Sequence, residues 1–474
     1  MTLGIADIAV YVPRRRLQRE AIANAHAWAV PSLKGLASGT VAAANWDEDS
    51  VTMAHAACRQ IVDDTVCGIR FCSTSMPFAD RSHAALLAEA LTLSGSMRTM
   101  DVGASARAGS SALMAALMCH QNALVVASER RLAKPGSAEE ISYGDAAVAI
   151  RTGSGDCIAD YIGGASRATD FVDHYRSSDA DFDYGFEARW VRDEGQLAEL
   201  PDMLPQVLAE YDIAPESVQW LAMNAPARVR KKLAETVGLT NAQSDFGYES
   251  TVGNCGCADP FMALAESLAR AKAGDIVVSI SFGQGLDVML FRAAGKSPSG
   301  RVREAIESGE SDDNYLRFLS HRGLLQMDWG KRAERDVRTA QSAYYRERDQ
   351  VSGFVGGKCR VCDTIQFPRT RACVNPDCRA FDSQTPYPFA DLTGTVKSFT
   401  EDWQAYSPAP PLIYGNIGFE GGANILMQFT DTAEGETKVG NRVSMQYRIK
   451  DIDRVRDFRR YFWKAVRQED VAYG

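Results

Sequence analysis

Four cysteines fall within twenty residues near the C-terminal end of the chain. They read Lys358-Cys359-Arg-Val-Cys362, then ten residues, then Cys373-Val-Asn-Pro-Asp-Cys378. Two close cysteine pairs joined by a short loop make a tetrahedral thiolate cage of the kind a structural zinc takes, one per chain. The alternative is four buried free thiols, and the regular spacing argues against it. A closed cage leaves no open coordination position, so this metal would hold structure, and the chemistry must lie elsewhere. Few residues are available for it. Of six histidines, His174 stands in the polar run Asp173-His174-Tyr175-Arg176 and is a candidate general base, with a surface or interface histidine as the alternative. Tyr175 and Tyr248 are further candidates, and His83 follows the loop Ala79-Asp-Arg-Ser. His26, His55, His120 and His321 sit in helical contexts and read as structural. Cys255 and Cys257 could pass for nucleophiles, but no neighbour in sequence would activate them, so they read as packing residues.

These residues are set in two kinds of surroundings. Up to about residue 295, short apolar strands alternate with amphipathic or small-residue helices. Strands are expected at Ile5–Val10, 69–72, 123–128, 146–150, 218–223, 276–280 and 286–291. Helices are expected at 50–61 (Ser50 as N-cap), 84–93, 109–118, 227–237 and 260–271. Such alternation indicates an α/β layered fold. The two halves, 1–150 and 151–295, share a rhythm without an identity-level repeat. Residues 296–352 turn highly charged and read as a helical connector. The cysteine module spans 353–383. From 384 to 474, strand-like runs at 393–400, 412–419, 423–430 and 443–449 suggest a small β-barrel.

Composition narrows the function. The 474 residues carry a net charge of −9, with 45% hydrophobic and 24% charged residues. That balance suits an ordinary globular enzyme and argues against a general nucleic-acid binder. No apolar run is long enough to span a membrane, and the N-terminal stretch lacks a signal-peptide core. Seven cysteines outside the cage, at irregular spacings, suit a reducing cytoplasm.

The cysteine module, followed by Gln366-Phe-Pro368, Gly394-Thr-Val-Lys-Ser-Phe399 and Leu426-Met-Gln-Phe-Thr-Asp431, resembles the zinc-ribbon and OB-fold proteins that accompany thiolase-type enzymes. The resemblance implies a rubredoxin-like zinc ribbon, an OB-fold barrel, and a role in partner contact or in holding acyl-CoA. OB-folds also bind oligonucleotides, but an interleaved basic and aromatic stripe is missing.

Three runs in the first 295 residues are similar to the thiolase superfamily, in particular to hydroxymethylglutaryl-CoA synthases and the chain-initiating ketoacyl synthases. They are Asp101-Val-Gly-Ala-Ser-Ala106-Arg-Ala-Gly109, Tyr143-Gly-Asp145-Ala, and Val252-Gly-Asn254-Cys-Gly256 with Ser281-Phe-Gly283-Gln-Gly285. The resemblance implies a five-layered αβαβα core, a coenzyme A thioester substrate, a catalytic Asn254 and an active-site wall at Gly283 and Gly285. Asp145 reads as a turn-fixing carboxylate. The resemblance also exposes three departures. The nucleophilic cysteine's position, at the start of a helix, is Ala106, which cannot form an acyl-enzyme. The catalytic histidine's position falls at Asn224. The synthase glutamate's position falls near Ser73-Thr74-Ser75, without a carboxylate. An engineered cysteine replacement would explain Ala106 alone; three vacancies favour natural loss.

What remains is a thioester site with oxyanion donors and no covalent step. Such a site still supports a thioester enolate, the intermediate of aldol and retro-aldol chemistry. The expected function is therefore C–C bond making or breaking next to a CoA thioester. The alternatives are a synthase-like acyltransferase seen as a Cys-to-Ala variant, and a non-catalytic acyl-CoA scaffold. Superfamily resemblance implies a homodimer.

Overall fold

A computed structural model describes residues 3–93, 95–329 and 340–468. Residues 330–339 of the expected helical connector lie outside the described residues. The chain forms two compact units. The first comprises Met1–Ala44, Asp49–Ala85 and Ser96–Phe318, and the second Asn45–Glu48, Leu86–Gly95 and Leu319–Gly474. Among the described residues, no helix is long and apolar enough to cross a membrane.

In the first unit, nine strands form one hydrogen-bonded order: Val218–Met223, Ile276–Phe282, Gly285–Ala293, Ala159–Ala168, Leu3–Tyr11, Ala146–Ser154, Ala123–Glu129, Gly68–Cys72, Arg98–Val102. Each half is parallel toward its outer edge and antiparallel toward the centre. The halves meet at a short seam, where Gly4 faces Asp160 and Ile5 faces Ala159. Glycine is required there, because a Cβ at Gly4 would lie 2.2 Å from the Ala159 carbonyl oxygen. Two helices, Ala108–Met118 and Asp259–Arg270, are buried on nearly every side. Their small residues (Ala, Gly, Ser) let them sit inside the core cluster with Ile5, Ile8, Val125, Val148 and Phe291. The arrangement is a mixed α/β fold around a large central sheet.

Local differences from the sequence reading have physical causes. The N-cap of helix Ser50–Cys58 is Asp49, not Ser50: its carboxylate accepts from the Val51 and Thr52 amides, and Thr52 completes a capping box. The helix expected at 84–93 spans His83–Ala90, and Thr92 has a left-handed backbone, φ 55°. The charged connector is partly core. Helix Ser299–Glu307 buries Val302 and Ile306, one helical turn apart. Glu310–Asp312 then pairs as a parallel strand with Arg15–Gln18.

The second unit contains a three-stranded sheet, Ile365–Gln366, Val355–Cys359 and Gln384–Pro388. It also holds a five-stranded sheet ordered Asn424–Gln428, Leu412–Phe419, Gly394–Asp402, Arg442–Asp453 and Phe458–Arg467. The last strand is absent from the sequence expectation, since its Arg-Arg and Lys residues interrupt the apolar pattern. A bridge between Phe429 and Ala465 ties the two outer strands of the sheet together. Phe354, Phe367, Phe389, Phe462 and Trp463 pack as one aromatic cluster. The four residues Asn45–Glu48 are held by buried charges in this unit. Lys464 Nζ reaches Asp47 Oδ2 at 2.8 Å, and Arg448 pairs with both Glu48 and Asp431, the latter at 2.6 Å.

Candidate functional site

Five chain segments leave the carboxyl ends of parallel strands in the first unit: Ser73–Ser75, 103–106, Arg130–Arg131, Asn224–Pro226 and Gly283–Gln284. Ends of this kind are where open α/β sheets place ligands. The hairpin of His174–Tyr175 against Tyr184–Gly185 adds a sixth segment. Two clefts result, of about 380 and 460 Å³, and Ala106, Asp173 and His174 line both.

Ala106 precedes the buried helix Ala108–Met118. The loop carrying it is fastened to the 283–285 turn. Ser105 Oγ donates to the Gly283 carbonyl at 2.6 Å, and Arg107 Nε donates to the same oxygen at 3.1 Å. Arg107 also pairs with Asp287 at 2.8 Å, and that carboxylate accepts from Ser110, Ser111 and Ser166. A Cβ at Gly283 would lie 3.0 Å from the Ala106 Cβ, so the wall can approach this closely only as glycine. Gly283 lines the smaller cleft. Gly285 shapes the turn, with φ 120° and the Arg167 carbonyl 2.4 Å from where a Cβ would stand.

His174 forms a dyad with Asp173, Nδ1 to Oδ2 2.7 Å. The Asp173 hydrogen bond outweighs burial and pushes the imidazole above its ordinary range. Tyr175 lines the smaller cleft. Asn254 lines the larger. Its Oδ1 accepts from Arg131 and, at 3.1 Å, from the Gly256 amide. The amide is thereby oriented, and its NH2 is the end left for a carbonyl oxygen. Asn224 also lines this cleft, but its amide is committed to structure. It donates to the Phe282 carbonyl at 3.0 Å and accepts from the Phe282 amide at 2.9 Å.

Three expectations need correction. Tyr248 is fully buried, its hydroxyl donates to the Asp259 carbonyl at 3.4 Å, and burial pushes the phenol far up; it lines neither cleft. His83 is buried between Phe71 and Phe78 and bonded to Asp101 at 2.8 Å through Nδ1, while Nε2 accepts from the Phe78 amide. Burial alone would raise the Asp101 carboxyl, but hydrogen bonds from His83 and Ala84 hold it below its usual range. The Ser73-Thr74-Ser75 loop does have a carboxylate. Glu129, fully buried, accepts from Thr74 N at 2.9 Å, Thr74 Oγ1 at 2.8 Å and Ser75 Oγ at 2.5 Å. It fastens the loop, and its oxygens are occupied.

Asp145 accepts from the Ala44 amide at 2.6 Å and fixes a turn. Cys255 and Cys257 are buried, and burial pushes both thiols far up.

Sequence reasoning did not single out Arg131, Asp183 or Asp259. Arg131 lies 3.6 Å over the Tyr143 ring. Tyr143 donates to Asp183 at 3.0 Å, and Arg176 donates to the other Asp183 oxygen at 2.7 Å. Asp259, at the start of the buried helix after Asn254, lines the larger cleft, and burial pushes its carboxyl up to about 6. Charges placed just after apolar strands (Ser128-Glu-Arg-Arg131) or at a helix start (Ala258-Asp259-Pro260) are the signal that could have found Arg131 and Asp259.

In the second unit, the Sγ atoms of Cys359, Cys362, Cys373 and Cys378 all lie within 4.8 Å of one another. Cys359–Cys378 and Cys362–Cys373 are 3.9 and 3.6 Å apart. Four thiolates about 2.3 Å from a tetrahedral metal would be about 3.8 Å apart, so the set fits one such ion. Ser383 and Thr364 hydroxyls support Cys359 and Cys362 at 3.2 and 3.3 Å.

Comparison with known proteins shows what this chain is similar to. Residues 208–291 match the family described as 3-oxoacyl-[acyl-carrier-protein (ACP)] synthase III C terminal. The hydroxymethylglutaryl-CoA synthase of Methanosarcina barkeri is 25% identical over 349 residues, covering 69% of this chain and 99% of that protein. The Aeropyrum pernix protein of the same name is 26% identical over 341 residues, covering 69% and 92%. Among solved structures, MvaS in complex with 3-hydroxy-3-methylglutaryl coenzyme A superposes with a TM-score of 0.57 at 18% identity, covering 71% of this chain and 94% of that one. The 3-oxoacyl-[acyl-carrier-protein] synthase III of Aquifex aeolicus gives 0.53 at 17%, covering 61% and 99%. The core therefore has a thiolase-type fold.

Proposed function

We propose that this chain makes or breaks a C–C bond next to a coenzyme A thioester, by aldol or retro-aldol chemistry without an acyl-enzyme. The observation that carries this reading is Ala106 lining both clefts of a thiolase-type core whose nearby thiols, Cys255 and Cys257, are buried with their pKa pushed far up. In the cleaving direction, His174 takes the proton of the β-hydroxyl. The Cα–Cβ bond breaks, an aldehyde or ketone leaves, and the electron pair passes into the thioester as an enolate. The Asn254 NH2 and the first turn of helix Ala108–Met118 face the enolate oxygen. Asp259 supplies the proton that returns to Cα; a carboxyl near 6 can both give and take one at neutral pH. Arg19, Arg192 and Arg228 line the larger cleft and suit the phosphates of coenzyme A.

A second reading has its own support. The relatives are named hydroxymethylglutaryl-CoA synthases, which favours a condensing enzyme of that type over the aldolase reading, with position 106 restored to cysteine. The non-catalytic acyl-CoA scaffold is the third. The four-cysteine group is assigned a structural zinc, within a rubredoxin-like ribbon followed by an OB-fold barrel. The same reading carries a homodimer and a cytoplasmic setting.

One assay separates these readings. The purified chain is incubated with β-hydroxyacyl-CoA thioesters and released aldehyde or ketone is measured. Turnover by the Ala106 form supports the aldolase. Activity that appears only in Ala106→Cys sinks it in favour of the condensing enzyme. Coenzyme A binding without turnover by either form leaves the scaffold.

A further inference from the structure

The hairpin that carries His174 also carries an aromatic surface for which the reaction has no use. Tyr175, Tyr184, Phe186 and Trp190 are 47, 60, 44 and 39% exposed. Their rings form a continuous series. Tyr175 lies 5.6 Å from Tyr184, Tyr184 5.7 Å from Phe186, Phe186 5.5 Å from Trp190, and Trp190 stacks on Phe171 at 4.2 Å. Four exposed rings in contact are not the scattered apolar residues of an ordinary surface. They are not spare core either, because their neighbours along the chain are polar: Ser177, Ser178, Asp179, Asp181, Asp183 and Glu187.

The surface runs directly into the site. Tyr175 lines the smaller cleft and Phe186 the larger, on either side of the His174 that lines both. The larger cleft is lined by both cationic and apolar side chains. Arg19, Arg192 and Arg228 line it together with Phe186 and Val191. A molecule that satisfies both kinds of side chain carries several anionic groups and a flat apolar group. Small acyl groups such as acetyl would leave the rings bare, and rings select flat partners through stacked and edge-to-face contacts.

We propose that the Tyr175–Trp190 surface is the acyl-group platform of this enzyme, and that its substrates are coenzyme A thioesters whose acyl chain bears an aromatic or other flat ring. The proposal rests on the acyl-CoA reading above and adds the substrate class. One ring contact of this kind contributes roughly tenfold in affinity at its upper range.

The test uses the full chain and two probes, phenylacetyl-CoA and acetyl-CoA, titrated calorimetrically. The expected result is a dissociation constant at least about tenfold lower for phenylacetyl-CoA, with the ratio falling toward one in the double variant Tyr184→Ala, Trp190→Ala. Circular dichroism confirms that the variant is folded, and Trp190→Phe, which keeps a ring, is expected to retain most of the preference. Equal affinities for the two thioesters in the native chain, or a ratio unmoved by the double variant, overturn the platform and leave the acyl-CoA reading standing. Failure of the native chain to bind either thioester or free coenzyme A overturns that reading and the platform with it. Sedimentation that shows a dimer lost in the double variant, with the ratio unmoved, overturns the platform and assigns the rings to a second copy of the chain.

Discussion

The cysteine module and the cleft both gather reactive side chains at one point, but they do so over very different lengths of chain. The module draws its four sulfurs from residues 359–378, in two pairs on adjacent turns of one small sheet. The cleft draws Ala106, Arg131, His174, Asn254, Asp259 and Gly283 from five segments spread over almost 180 residues. A local site needs little beyond its own turns and its metal. A dispersed site depends on the register of the whole nine-stranded sheet. Removing a ligand should therefore unfold the first kind, whereas removing a residue should silence the second kind and leave the fold standing.

The largest expected effect is at the module. Cys362→Ser should abolish stoichiometric metal binding and destabilise the second unit by several kcal/mol, given that structural zinc contributes about 10 kcal/mol or more in small domains. Metal analysis paired with calorimetry reads this, and an unchanged melting profile would break the contrast. Next, His174→Ala should lower turnover by about 10²–10⁴-fold with its thermal midpoint near that of the native chain. A collapse of the fold would make the cleft residue as structural as a ligand.

Asp259→Asn should be smaller and of opposite sign for stability. A carboxyl raised to about 6 in the folded chain prefers its proton there. The folded state is therefore favoured below the ordinary carboxylate range, and that advantage is lost as pH rises toward about 6. Asparagine can keep the bond from the Cys255 amide without the buried charge. The variant should gain up to about 3 kcal/mol over native above pH 6 and little near pH 4, as read by denaturant titration at the two pH values. The smallest effect is at Asp173→Asn. His174 acts as a base only when neutral, and Asp173 raises its pKa. The acidic limb of the pH profile for kcat/KM should therefore move to lower pH, while a purely structural Asp173 would leave the limb in place.

The same contrast explains which features are legible in the order of residues alone. The cysteine spacing suffices to place the four thiols together. Strands and helices that are apolar and uninterrupted, such as Ala123–Glu129 and Asp259–Arg270, are legible because burial on all sides leaves a plain hydrophobic run. Phe458–Arg467 is not, because its Arg460 and Lys464 find their carboxylate partners, Asp451 and Asp47, only in three dimensions. Motif spacing places Ala106, Asn254 and Gly283 on cleft walls. It does not see Arg131 over Tyr143, or Glu129 beneath the Ser73-Thr74-Ser75 loop, since those contacts cross between segments. Tyr248 misleads for a related reason: nearness to Asn254 in sequence says nothing about which way a ring points.

The lysine at 464 and the arginine at 448 bear on how this protein can be divided. Their partners Asp47 and Glu48 belong to the other end of the chain. A gene fragment beginning at Leu319 would encode both cations and omit both of those anions. It would have to bury Lys464 without Asp47, at a cost of about 3–5 kcal/mol, and would leave Arg448 with Asp431 alone. The stretch from Leu319 onward thus depends on four residues of its own unit that lie far upstream in the chain. An attempt to express it alone should succeed only when a peptide containing Asn45–Glu48 is supplied beside it.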